Sequence, residues 1–325
     1  MEASPTSQRT LRPLGVGEIL DRAVTLCVRN FPLLALIWGV FAVVSAVLTF
    51  LGTADQSKFY GALADAIRQQ SHGGTFDWSA LARANGGGVP FNGWTIAFFA
   101  WIVLLSPLPT AALIAATSFF YLGRRTTFGE VYRIALHRFL NLFMYNLLWL
   151  VCVPIVYIVF VLAGIAIGIA LFALAAVLHT VGIVINVILG TILGLAFFAF
   201  ALVAGLGYSV GFYTCVIERR NFAESFTAGL RRVFARAVLG RSLLLGLVYL
   251  AVTLGYLIVS TMGQAVLYGL VRSQALGVAY TTLLEIAAIV FLTTFITIFY
   301  YDLRVREEGF DLQLSASDVA AAANA

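Results

Sequence analysis

Few residues in this chain have the chemistry of an active site, and those few are scattered. The three histidines fall at His72, His137 and His179, and none has a second ligand at metal-site spacing. No His-Glu-x-x-His, Gly-x-Ser-x-Gly or phosphate-loop sequence occurs. Cys27, Cys152 and Cys215 are odd in number, and two of them lie inside apolar runs. They read as small apolar packing residues, not as a disulfide framework or a metal cluster. No catalytic residue, cofactor or metal is assigned on these grounds, and the chain is read as not being an enzyme. Glu285 is the exception that draws attention, because it is an acid inside an otherwise apolar run. A charge is costly within a bilayer, so such a residue is a functional candidate by default. Thr282, Glu285, Thr293 and Thr297 share roughly one helical face, a polar stripe able to line a cavity. Pairing with Arg272, or a neutral carboxyl bonded to a tyrosine or threonine, are the structural alternatives.

Composition says what must hold these residues. Of 325 residues, 61% are hydrophobic and 11% charged, against roughly 25% charged in an ordinary soluble domain. The solvent around most of the chain must be lipid. An all-α polytopic membrane protein follows, with spans at about 31–52, 94–122, 139–176, 183–217, 242–263 and 276–301. Pro107 and Pro109 predict a kink in the second span. No residue between Arg138 and Glu218 is charged, His179 aside, and two long tilted helices meeting near His179–Gly182 fit that length best. The first fourteen residues are polar, lack the order of a secretory leader and read as disordered, as do residues 313–325. Residues 15–312 then form one membrane domain, with an outer loop over 53–93. In that loop, Phe59, Leu63, Ala66 and Ile67 make a helical apolar stripe, Trp78 and Leu81 suggest a second turn, and the glycines after Asn85 break regular structure.

The basic residues orient the spans. Six spans place 16 of the 20 Lys and Arg residues on the side of both termini, leaving Lys58, Arg68, Arg83 and Arg272 opposite. This positive-inside pattern predicts cytoplasmic N- and C-termini in a bacterial inner membrane. The arginines are spread through short loops beside apolar runs, so membrane lipid, and not nucleic acid, is the expected partner.

Three of the basic segments resemble one another: GEILDRAVTLCVRNF from Gly17, GEVYRIALHRFLNLF from Gly129 and AESFTAGLRRVFARA from Ala223. With Glu18, Glu130 and Glu224 superposed, Ala23, Ala135 and Gly229 align, followed by Val24, Leu136 and Leu230. Each reads as an amphipathic interfacial helix, an elbow preceding two spans, with its glutamate in the first turn. The expectation is a threefold repeat of elbow plus hairpin, with Arg22, Arg29, Arg133, Arg138, Arg231 and Arg232 toward lipid headgroups. The pairs Gly164/Gly168, Gly190/Gly194 and Gly207/Gly211 read as sites of close helix approach.

At the last span, Tyr300 and Tyr301 suit the headgroup layer, Asp302 and Arg306 can pair, and Gly309 is a reasonable helix stop. The opening LRPLGVGEILDRAVTLCVRNF, the central YLGRRTTFGEVYR, the segment IERRNFAESFTAGLRRVFAR and the closing YYDLRVREEGFDL resemble bacterial six-span proteins known as glycerophosphoryl diester phosphodiesterase membrane domains. The resemblance implies a six-span membrane module. In the enzymes that name that family the module is fused to a soluble phosphodiesterase barrel, for which this chain has no room, so the activity is not expected to carry over. Three functions compete: a non-enzymatic module that binds lipid or organises a protein partner or a second copy, a small transporter or channel with a polar cavity near Glu285, and, weakest, a lipid-modifying enzyme.

Overall fold

The computed structural model describes residues 13–52, 56–73, 78–79 and 93–309. Among them every regular element is helical: α1 Val16–Gly52, α2 Gln56–Ser71, α3 Gly93–Leu105, α4 Pro107–Tyr121, α5 Phe128–His137, α6 Phe139–Tyr213, α7 Phe222–Phe234, α8 Leu239–Val271 and α9 Gln274–Glu308. A π-helical turn, Thr214–Glu218, continues α6. Six helices are long and apolar enough to cross a membrane, as the six-span reading expected. The expected reach of both termini, the glycine break after Asn85, Leu81 and the His179–Gly182 side chains lie outside the described residues.

The second span breaks where its prolines require. Gly93–Leu105 and Pro107–Tyr121 are separate helices meeting at Ser106, with prolines in the first turn of α4, where their missing donors cost least. The third and fourth spans form one helical run that reverses. Tyr145 Oη donates to the Tyr208 carbonyl at 2.7 Å, whereas a straight helix of that length would hold them roughly 95 Å apart. The two apolar arms are Phe139–Ile169 and Asn186–Glu218.

The chain divides into two compact units, residues 1–139 with 249–325, and residues 140–248. In the first, α1 packs along α9, and α3, α4 and α5 pack around them. Trp38, Phe41 and Ala42 gather Trp101, Ile102, Leu105, Ile286 and Ile289, with Phe41 stacked on Trp101 at 5.3 Å. Toward the arginine-rich end, Thr117 and Thr297 share a hydrogen bond of 2.9 Å, and Tyr121 stacks on Tyr301 at 5.1 Å. At the opposite end, Leu63, Ala64 and Ala66 of α2 are buried, a Cβ on Gly269 would lie 3.1 Å from Ala64, and Arg68 donates to the Gly269 carbonyl at the end of α8. Of the predicted loop stripe, Leu63 and Ala66 are buried as drawn; Phe59's side chain lies outside the described residues.

In the second unit, Tyr145, Tyr208, Phe212 and Trp149 form an aromatic cluster between the arms. The α7 helix crosses the second arm so closely that Gly229 lies on the backbone of Gly207 and Gly211. That glycine pair packs as expected. Gly164, Gly168, Gly190 and Gly194 have nothing within 4 Å of where a Cβ would stand.

One element departs from the sequence reading. The first elbow is not a separate helix: Gly17 to Phe31 forms the opening turns of α1, which runs on through Pro32 to Gly52. Pro32 removes a single backbone donor, and no glycine or left-handed residue beside it ends the helix. The other two segments stand as separate helices, α5 and α7.

Candidate functional site

The three segments that resemble one another in sequence each begin with a polar cap, but with different partners. Glu18 accepts from the Gly15 backbone N–H at 2.9 Å, and Glu130 accepts from the Thr126 hydroxyl at 2.9 Å. In α7 the role shifts to Asn221, whose side chain accepts from the Glu224 N–H at 2.8 Å. All three glutamates lie in first turns, where a negative charge meets the helix dipole.

Their burial also follows one register. Counting from each glutamate, the next residue is fully buried in all three (Ile19, Val131 and Ser225), and so is the fifth (Ala23, Ala135 and Gly229). The third and seventh are exposed in all three: Asp21 and Thr25, Arg133 and His137, Thr227 and Arg231. The small fifth residue faces protein each time, which is the place where a larger side chain would hold the helix off its neighbour. Tyr132, two residues past Glu130, donates from its hydroxyl to the Ile37 carbonyl at 2.8 Å. Burial pushes its phenol up, so it remains a donor.

Two polar clasps stand at the arginine-rich ends of spans, one in each unit. In the first, buried Asp302 accepts from the Leu14 N–H at 2.7 Å and from Arg306 Nε at 3.0 Å, while Arg306 Nη2 donates to the Leu14 carbonyl at 3.1 Å. The pairing expected of Asp302 and Arg306 is present, and Gly309 ends the helix in a left-handed conformation. In the second, Glu218 on the π turn pairs with Arg232 at 2.6 Å and with Arg220 at 3.0 Å. Arg232 also donates to Thr214 Oγ1 at 2.8 Å.

Arg232 therefore corrects an expectation. It was expected at the headgroups, but it is 5% exposed and its charge is spent on Glu218. Its neighbour Arg231 is exposed, as are Arg29 and Arg133, while Arg22 and Arg138 are half-buried. A further feature went unread in the sequence. Phe120-Tyr121, Phe212-Tyr213 and Phe299-Tyr300 end three spans, each tyrosine is buried, and paired arginines follow within a few residues. The repeated dipeptide ahead of Arg124-Arg125, Arg219-Arg220 and Arg304/Arg306 was the available signal.

Glu285 lies half-buried on α9 beside Trp38 and Tyr256, not beside Arg272. The buried Trp38 indole N–H lies against its carboxyl without closing a hydrogen bond of ordinary geometry. The threonines once grouped with it are spread through helix packing. Thr282 donates to the Val278 carbonyl, Thr293 is buried, and Thr297 bonds to Thr117. Among the described residues no group of His, Cys, Asp and Glu could hold a metal ion.

No protein-family model matches the chain, and neither a curated protein nor a solved structure matches it.

Proposed function

We propose that this chain is a non-enzymatic integral membrane module of a bacterial inner membrane, working through its arginine-rich face. That face is cytoplasmic, both termini lie on it, and its three similar segments are copies of one repeat, the second and third as interfacial elbow helices and the first as the opening turns of its span. They bind membrane lipid or organise a partner there. The observation that carries the reading is the shared burial register, in which all three segments hide the first and fifth positions past the glutamate and expose the third and seventh. The order of packing supports the repeat. The start of α1 is tied to the end of α9 through Leu14 and Asp302, α5 packs on α4, and α7 packs on the second arm of α6. Each segment thus leans on the span that precedes it when the six are counted in a circle. The likeness to glycerophosphoryl diester phosphodiesterase membrane domains agrees with such a module.

Labelling of single cysteines in a cysteine-free background tests the placement. Residues 125, 221 and 307 should react from the cytoplasmic side, and residue 72 from the other. Residues 125 and 221 reacting from opposite sides would end the reading.

A second reading is a small transporter, favoured by one observation: a carboxyl within a span, beside Trp38 and Tyr256. It requires that a Glu285→Gln variant lose transport of some cation or proton in vesicles.

A further inference from the structure

The three segments share a buried register but differ on one face. Six residues past the glutamate, Val24 is 50% and Leu136 is 59% exposed; ten past it, Val28 is 70% exposed. In α7 the corresponding residues, Leu230 and Phe234, are half-buried. Leu230 lies against Gly207, and the Phe234 ring sits 5.7 Å from Phe200. The third copy has closed this face on its own span, while the first two leave it open.

Two observations say what covers the open face of the first elbow, and the second of them holds for the second elbow as well. Along α1 the exposed stripe does not stop at Val28 but continues through Val40, Val43 and Val47, each more than half exposed, up the length of a membrane span. The medium that wets the span therefore reaches the elbow without a break, and that medium is acyl chain. The open faces are also flanked by exposed arginines, Arg29 after Val28 and Arg133 one turn before Leu136, and neither makes an ion pair with a described residue. A guanidinium beside acyl-lined surface complements a phosphate bearing net negative charge.

We infer that the first and second elbows bind anionic phospholipid, and that the third does not. Val24, Val28 and Leu136 take the acyl chains, and Arg29 and Arg133 take the headgroup phosphates. The inference rests on the module reading above and gives it a ligand class and a location.

The test uses the full chain in phosphatidylcholine vesicles, with spin-labelled phosphatidylglycerol or phosphatidylcholine reporting the lipid held at the protein surface. The wild-type chain should prefer phosphatidylglycerol, and raised salt should weaken the preference. Arg29→Gln and Arg133→Gln should each lower it, by about fivefold for a basic residue at the surface. Arg29→Lys and Arg133→Lys should retain most of it, and Arg231→Gln, on a helix that packs this face on its own span, should lower it by clearly less than Arg29→Gln. Equal retention of the two lipids by the wild type overturns the inference. So does a loss with Arg231→Gln as large as with Arg29→Gln, or a loss with the lysine variants as complete as with glutamine. Cysteine labelling in the same vesicles separates the two failures: correct sidedness without lipid preference removes this inference and leaves the module reading standing.

Discussion

Replacing Gly229 by alanine should be among the most damaging single-methyl additions in the chain. A Cβ there would stand 2.5 Å from Gly211 Cα and closer still to the Gly207 carbonyl and the Gly211 nitrogen. Carbon atoms in contact prefer about 3.5–4.0 Å, so α7 must retreat from the second arm of α6 by about 1 Å. The obstructing atoms are backbone on both sides, so no side chain can rotate out of the way. Overpacking of this kind costs about 1–3 kcal/mol, and the lack of a flexible neighbour places this case near the top of that range. The retreat also loosens Arg232 from Glu218, now 2.6 Å apart with both side chains buried. Thermal unfolding in detergent should show a clear fall in Tm for Gly229→Ala. Gly164→Ala, which meets nothing within 4 Å, should be neutral or slightly stabilising through helix propensity. A Gly229→Ala protein as stable as wild type would refute the close crossing. A Gly164→Ala protein that loses as much would show that the first arm packs against something as tightly as α7 does.

Other consequences are equally direct. Asp302→Ala leaves the buried Leu14 N–H without its acceptor, at about 1–3 kcal/mol, while the exposed Arg306 returns to water; Asp302→Asn keeps an acceptor for Leu14 and should cost less, read as the difference in their melting temperatures. Arg232→Ala leaves Glu218 buried with only the half-exposed Arg220, so it should destabilise far more than Arg231→Ala in the same assay. Glu285→Gln should leave Tm and lipid preference within error of wild type if the carboxyl plays no part in the module, as measured by unfolding and lipid-retention assays side by side. Tyr132→Phe removes one hydrogen bond to the Ile37 carbonyl and should cost about 1 kcal/mol.

Much of the fold was legible because lipid imposes a simple rule on sequence. The charge-free stretches fixed six spans, and Pro107 showed where the second would break. Local devices were readable too: the first-turn glutamates, the Asp302–Arg306 pair and the Gly309 stop each act within one helical turn. What was not legible acts across the fold. Arg231 and Arg232 are adjacent and identical in type, and about 100° of helical rotation turns one outward and buries the other. Nothing near Arg232 announces that its partner is Glu218 on a π turn, fourteen residues earlier. The merging of the first elbow with its span was hidden for a related reason. Pro32 looks like a boundary in sequence, yet one lost hydrogen bond is not enough to end a helix whose packing against α9 continues on both sides. The threonines around Glu285 were hard to read for another reason: on one face they can satisfy their own helix carbonyls or a neighbouring threonine, and only the packed helices show which they do.

The most direct test of the central claim is native mass spectrometry of the chain released from its own membrane in mild detergent. A module working through its arginine-rich face should carry a stoichiometric lipid or protein partner, and exchanging Arg29 and Arg133 for glutamine should strip the lipid. A bare monomer with nothing retained, in a preparation that drives cation or proton flux dependent on Glu285, would contradict the account and establish the transporter reading in its place.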